Sequence, residues 1–350
     1  MGAVGHCPDT FCKTAKLHLH MGNTPTVSVI IPVYNFSDYI GDCLESLLRQ
    51  SHGNIEVILV DDRTPDDSMR VAAPYIDRLK ERFEVIVVTH EKNKGVSAAR
   101  NSGVRASAGE WLFFLDSDDR ITDGCIGSLV SLTGKYPDVD FVAGNIEVVG
   151  SDVYFPLRLP EYLSGNDKIF TEFINGGWYV MPWNKLIRRD YFVNNSLWFE
   201  ERIIHEDELF SFYMAATASA VACTQEKTYE YIITRAGSIT SVFGIRNMEA
   251  NLKVNTLRFG YLLENSARYE GVPIYKHVVD CAFGFILGVI PNCTIDNKTK
   301  KALVRKQVKL LRSASGLKRP AGRRILVKRV ILNSPFFAMK MGVRMVNRVL

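Results

Sequence analysis

Between Val27 and Asp119, four apolar runs alternate with three segments of helical spacing. The runs are VSVIIPVYN, IEVILVDD, EVIVVTH and EWLFFLDSDD. Near-continuous apolar strands must be covered on both faces, and strands separated by helices can lie parallel. The expected fold class is therefore α/β, a mainly parallel sheet flanked by helices. The first helical segment, SDYIGDCLESLLRQ, offers Ser37 as N-cap and Ile40, Leu44, Leu47 and Leu48 as its buried stripe. PDDSMRVAAPYIDRLKERF and GVSAARNSGVRASAG supply the other two. Ligands of such sheets bind beyond the carboxyl ends of the strands. Those ends carry Tyr34 and Asn35, then Asp61 and Asp62, then Asn93 to Gly95, and finally Asp116, Ser117 and Asp118. One strand ending in Asp or Asn is an ordinary turn. Four such endings on one edge point to a binding site.

The fourth ending is the most demanding. GEWLFFLDSDDR drives Trp111 to Leu115 inward and then places Asp116, Asp118 and Asp119 at the exit. Clustered carboxylates repel one another and are unfavourable in a dry site without a cation. A lysine or arginine, a helix N-terminus or a divalent metal could answer them. If the backbone stays extended, Asp116 and Asp118 project to the same side and can share one ion. Hard carboxylate oxygens suit Mg2+ or Mn2+, ions that keep positions for water and phosphate. An Asp-x-Asp triplet alone is common in loops.

PVYN from Pro32, VDDRTPDDS from Val60, NKGVSAARNSG from Asn93 and FLDSDD from Phe114 follow one another in order. Together they resemble the donor-binding half of the family 2 glycosyltransferases, which have the GT-A fold. WNKLIRRDYF from Trp183, EDELF from Glu206 and RAGSIT from Arg235 resemble the acceptor half of that family. The resemblance spans roughly residues 27 to 243. It implies an inverting transferase that moves a sugar from a nucleotide-sugar, a UDP-sugar by expectation, to a glycan or lipid-linked glycan. On that resemblance Pro32, Val33, Tyr34 and Asp62 would hold the base, Asp62 accepting from a ring N–H. Asn35 and Asp61 stand beside them. Asn93, Gly95, Arg100 and Asn101 would line the ribose and phosphates. Asp116, with Ser117 next to it, would face the ribose or a metal-bound water, and Asp118 would ligate the metal. Asp207 would be the catalytic base, and Arg235 and Ser238 would close over the diphosphate. Arg63 stands where the family commonly has glycine, and His205 where it often has a small residue.

The expected organisation is an extension or tag over 1–24, a GT-A domain over 25–243 and a helical, basic region over 244–350. Within the domain, 25–120 would bind the nucleotide-sugar and 121–243 the acceptor. Charge separates the last region sharply. Of 43 Lys and Arg residues, 16 fall between Lys298 and Leu350, where there is no Asp or Glu. The other 27 face all 38 acidic residues, so a mildly acidic body carries a strongly basic tail. Lys340, Arg344 and Arg348 repeat every fourth residue, with Phe337, Met341, Met345 and Val349 alongside, on a helix expected to open at Ser334 and Pro335. That pattern suits an anionic membrane surface. Nucleic acid is the weaker partner, since interleaved aromatics are scarce and no recognition motif occurs. The longest apolar run, Cys281 to Ile290, is about half a membrane span. The expected location is cytoplasmic, peripheral at the inner face of the membrane. Seven scattered cysteines read as reduced, mostly buried residues.

Two other readings use the same carboxylates. One is a catalytically silent sugar-nucleotide or glycan-binding module of this fold, disfavoured by the intact Asp116, Asp118 and Asp207. The other is a metal-dependent phosphotransferase, whose Asp-x-Asp-x-Thr signature is broken by Arg120. Trp178, Trp183 and Trp198 could stack on sugars but more often serve a core.

Overall fold

The computed structural model describes residues 27–155, 157–233, 244–317 and 323–346. Its first half is the expected alternation: β1 (Val27–Val33), α1 (Ile40–Leu48), β2 (Ile55–Asp61), α2 (Ser68–Lys80), β3 (Glu84–Thr89), α3 (Val96–Ala106) and β4 (Trp111–Phe114). β1 runs parallel to both β2 and β4, and β2 runs parallel to β3. The order β3-β2-β1-β4 places the point where the winding reverses between β1 and β4. A crevice opens there beyond the strand ends.

The second half extends the same sheet with mixed polarity. It adds β5 (Arg120–Ile121), β6 (Phe141–Val149), β7 (Tyr162–Ser164), β8 (Lys185–Arg188) and β9 (Ala220–Ile232). β8 inserts antiparallel between β4 and β6, and β9 continues parallel to β6. Helices α4 (Cys125–Lys135), α5 (Asn166–Ile174), α6 (Arg189–Asn194) and α7 (Glu206–Thr217) connect these strands. Gly144 is needed where β6 meets β9, because a Cβ there would stand 1.9 Å from Thr228 Oγ1.

Alternation along the strands divides the core. Val29, Ile31 and Val33 of β1 join Leu44, Ile76 and Ile126 on one face. Ile30, Ile58 and Phe114 face the other way, into a core that also holds Phe170, Phe210 and Phe259. The C-terminal helices α8 (Ile245–Glu264), α9 (Ile274–Val289), α10 (Asn297–Ser313), α11 (Arg323–Asn333) and α12 (Phe336–Val346) complete that second core. Leu303, Leu332 and Met339 lie in it with the strand residues. The Cys281–Ile290 run is thus part of a packed helix end, and no helix among the described residues is long and apolar enough to cross a membrane.

Three local expectations change. Ser37 does not cap α1; its N–H donates to Asp66 Oδ2 at 2.9 Å, and the helix starts later, after Tyr39. Ser334 does not cap α12 either, because its hydroxyl donates back to Val330 O at 2.7 Å. The fourth strand ends at Phe114, and Asp119 N donates to Asp116 O at 3.1 Å. The Asp-Ser-Asp triplet therefore sits in a tight turn rather than an extended strand.

Candidate active site

Two loops form one wall of the crevice at the end of β1. Asn35 N donates to Thr64 Oγ1 at 2.7 Å and Phe36 N to Ser68 Oγ at 2.8 Å. Asp66 holds both hydroxyls and Ser37 N, and these hydrogen bonds outweigh its burial and keep its carboxyl far below the usual range. Tyr34 projects from this wall, 41% exposed. Pro32, by contrast, offers its carbonyl to Ser117 Oγ at 2.9 Å, tying β1 to the turn after β4. Val33 is fully buried and Ser117 likewise.

Asn35, Arg63 and His205 all have positive φ, at 62°, 57° and 68°. Arg63 and His205 are the two positions where the sequence departs from the family pattern. Both adopt the left-handed backbone that glycine takes without strain. The turn after Asp61 survives because Thr64 N donates to Asp61 Oδ1 at 2.9 Å.

Asp62 is almost wholly engaged by protein. Its Oδ1 accepts from Lys94 N at 2.8 Å and lies 2.7 Å from His90 Nδ1; its Oδ2 accepts from Gly95 N at 2.7 Å. At 2% exposure it faces the loop that starts α3. Gly95, with φ 90°, lets that loop turn its two N–H groups onto the carboxylate. Asn93 and Lys94 stand exposed on its outer side. Asn101 is also turned inward: its amide donates to Phe199 O at 2.9 Å and accepts from Phe199 N at 3.0 Å. Asp62 and Asn101 thus hold backbone, Asp62 that of the loop before α3 and Asn101 that of the buried Phe199.

Asp116, Asp118 and Asp119 converge, with one carboxylate oxygen of each within 4.8 Å of the others. Arg100 supplies positive charge from α3. Buried at 4% exposure, it donates through Nη2 to Asp116 Oδ1 at 2.8 Å and through Nη1 to Glu206 Oε1 at 3.2 Å. Asp119 accepts from Tyr229 Oη at 2.8 Å and Ile232 N at 2.9 Å. Burial, with Asp118 and Asp116 beside it, pushes its carboxyl well up. It locks the turn to β9, leaving Asp116 and Asp118 half-buried toward the crevice. Three hard oxygen donors at this spacing suit a divalent cation.

Asp207 lies in the first turn of α7, between Glu206 and Glu208. Its carboxylate accepts from Glu208 N at 2.8 Å. Burial, then the charges of Glu206 and Glu208, push it up to about 6. A helix N-terminus normally favours the ionised form, so burial and like charge win here. Lys185 lies nearby on β8, fully buried, its ammonium 3.7 Å from the Tyr179 ring centroid and lowered by burial. Arg100 stands in the NKGVSAARNSG motif that implied it, whereas Glu206 enters the site through its bond to Arg100 and Asp119 through its bonds to β9. Arg235 and Ser238 lie outside the described residues. Trp178 and Trp183 are core residues at 3% and 2% exposure, Trp183 stacking on Tyr229 at 4.4 Å. Trp198 is 36% exposed beside Arg105.

A sheet reversing between β1 and β4, with an aspartate cluster at that crevice, defines the GT-A-like class of nucleotide-sugar-binding folds. S. aureus TarS 1–349, solved in complex with UDP-GlcNAc, shares this fold with a TM-score of 0.58 at 17% identity, over 83% of this chain and 90% of that one. The Glycosyl transferase family 2 profile matches residues 28–194. EpsH of Bacillus subtilis (strain 168) is 32% identical over 252 residues, which is 71% of this chain and 72% of EpsH. The glycosyltransferase GlyG of Streptococcus pneumoniae serotype 4 is 30% identical over 231 residues, 61% of this chain and 72% of GlyG. The chain belongs to glycosyltransferase family 2.

Proposed function

We propose that this transferase moves a sugar from a UDP-sugar to a hydroxyl of a glycan or lipid-linked glycan, inverting the anomeric centre. The observation that carries the reading is Asp207, a carboxylate pushed up to about 6 at the same crevice as the Asp116 cluster, the two bridged by Arg100 through Glu206. An alcohol attacks poorly until its proton is removed, and a base with a pKa near working pH removes it best. Asp207 takes the acceptor proton as the oxygen attacks the anomeric carbon and the nucleoside diphosphate leaves from the opposite face. A single displacement inverts the centre.

The base of the donor rests against Tyr34 and Asn35, which the buried Pro32 and Val33 hold at the end of β1, with Asp61 and the loop that Asp62 holds beneath it. Asn93, Gly95 and Asp116 face the ribose and phosphates, and Arg100 and Asn101 fix that wall from behind. Mg2+ or Mn2+ held by Asp118 and Asp116 would offset charge developing on the diphosphate. Arg235 and Ser238 would contribute to the same group on the family resemblance. TarS is solved in complex with UDP-GlcNAc, which supports a uridine donor. A silent binding module would have no use for a base tuned in this way.

The basic region docks the chain on an anionic membrane, peripheral at its cytoplasmic face, where a lipid-linked acceptor would be presented. Residues 25–243 form the catalytic unit in this reading, divided near residue 120 into donor and acceptor halves. A panel of nucleotide sugars, assayed for diphosphate release with and without chelator, tests the reading. UDP-sugar turnover that needs metal supports it; binding without turnover of any donor overturns it in favour of the silent module.

A further inference from the structure

Glu206, Asp207 and Glu208 are three consecutive carboxylates at the start of one helix. Left to themselves they would share protons, and none would be a defined base. The fold deals with the outer two separately. Arg100 of α3 takes Glu206 at 3.2 Å. Glu208 is held by Arg258 Nη2 at 3.1 Å and His205 Nδ1 at 3.3 Å. Burial pushes Glu208 up, but His205 and Arg258 outweigh it and hold the carboxyl at about 2. Arg258 comes from α8, beyond residue 194 where the family profile stops. Its side chain is 7% exposed, with its guanidinium carbon 5.7 Å from the Phe212 ring centroid. Its Nε finds no partner among the described residues, while Nη2 donates to Glu208 and the guanidinium also engages the Cys281 thiol.

We propose that Arg258 is a positioning residue supplied by the C-terminal helices, which fixes Glu208 as a permanent, paired anion and leaves Asp207 as the one carboxylate free to exchange a proton. The inference rests on Asp207 being the base. The charged and titratable groups around Asp207 are Glu206, Glu208 and His205 on its own segment, Arg100 from α3, Lys185 from β8 and Tyr231 from β9. Within this set the ion pair of Arg258 is to Glu208. Its loss leaves His205 as the only partner of Glu208, so that Glu208 competes with Asp207 for the proton.

The test measures diphosphate release from UDP-GlcNAc, with water as acceptor, across pH. Arg258→Met is expected to lower kcat about 10- to 100-fold with donor KM within about threefold, because the loss falls on the base and not on donor binding. Its acid limb should move to higher pH. The paired variant Arg258→Met, Glu208→Gln removes the stranded charge and should recover about tenfold or more over Arg258→Met. A role in packing alone predicts no such recovery, and its absence overturns the proposal. If Arg258→Met does not fold, Glu208→Gln by itself decides: the acid limb should move to lower pH, and an unmoved limb overturns the proposal. Asp207→Asn, run alongside, separates the two ideas. Near-normal turnover there removes the base assignment itself, whereas lost turnover with an unaffected Arg258→Met removes only the role of Arg258.

Discussion

Arg100 Nη2 sits 2.8 Å from Asp116 Oδ1, across 16 residues of chain, and its charge answers the repulsion built into the aspartate cluster. The guanidinium is buried while Asp116 keeps 25% of its side chain exposed. The pair therefore holds its protein side fixed and leaves the other side for a ligand.

Removing Arg100 leaves Asp116 and Glu206 without their shared cation. Breaking a buried pair in this way costs about 3–5 kcal/mol when both partners are dry, and about 1–3 kcal/mol is expected here because Asp116 is partly hydrated. A divalent cation can replace the lost charge at Asp116. Arg100→Met should therefore regain more thermal stability on adding Mn2+ than the parent gains, as ligand linkage requires. An equal rise in both proteins would show that the cation does not reach Asp116.

The β1–β4 half was readable because each strand and helix carries its own signal: unbroken apolar runs for strands, three- and four-residue spacing for helices. The mixed second half was not. β8 enters between β4 and β6 through pairings such as Phe113 with Leu186, and nothing local to either segment announces a partner 73 residues away. The same limit applies at the site. Asp116, Asp118, Asp207 and Arg100 carry motifs, but the pairing of Arg100 with Glu206 spans 106 residues and nothing local to either announces it. Asp62 was legible as a strand end; its commitment to Lys94 N and Gly95 N depends on how the loop folds over it. The extended Asp-Ser-Asp triplet failed for a local reason, the Asp119 N to Asp116 O turn, which also brings Asp119 to Tyr229.

Asp118 tests the metal directly. Asp118→Asn keeps the shape of the side chain but weakens its charge as a ligand, so transfer should be abolished. Chelation should silence the parent reversibly, with Mn2+ or Mg2+ restoring it. Full activity in excess EDTA would end the metal role.

Asp207 is expected to separate turnover from binding. Asp207→Asn should lower turnover by about 10²–10⁴, the range for losing a general base, with donor affinity within a few fold. The parent's turnover should fall as pH drops through about 6, where the carboxylate takes up its proton. The linkage has the same sign. A carboxyl raised above its unfolded value destabilises the fold in its charged form, at pH above the folded value. Asp207→Asn should accordingly raise the melting temperature relative to the parent more at pH 8 than at pH 5. Calorimetric donor titration and melting at the two pH values check both halves.

Arg63 carries strain without a buried contact to justify it. Its φ is 57° and its side chain is exposed. A left-handed conformation costs a non-glycine residue about 1–2 kcal/mol, partly offset by the greater freedom glycine loses on folding. Arg63→Gly should raise stability by about 0.5–1 kcal/mol, read as a small rise in melting temperature. A fall would mean that the Arg63 side chain makes a compensating contact.

Membrane docking is the prediction with most at stake for the C-terminal helices. The basic region is packed, not loose: Lys328 pairs with Asp280 at 2.6 Å, and Lys340 donates to Asn297 Oδ1 at 2.8 Å. Yet α10 buries Leu303, Val304, Val308 and Leu311 and leaves Lys298, Lys301, Arg305, Lys306, Lys309 and Arg312 exposed. On α11 and α12 the exposed residues include Leu326, Val327, Val330, Phe337 and Met341, the last two 75% and 53% exposed. Cations for lipid phosphates and apolar groups for the interface are thus carried on neighbouring helices. Each cation near an anionic surface contributes about 1 kcal/mol. Removing the tail is a poor test because Leu332, Met339 and Val343 belong to the main core. Reversing Lys301, Arg305 and Lys309 to Glu leaves that core intact. The parent should sediment with phosphatidylserine-containing vesicles, release in high salt and ignore neutral vesicles. The reversed variant should lose binding by more than about tenfold, and Phe337→Ser with Leu326→Ser should weaken it further. Equal sedimentation of parent and reversed protein would place any membrane contact elsewhere, and none by the parent would end the role.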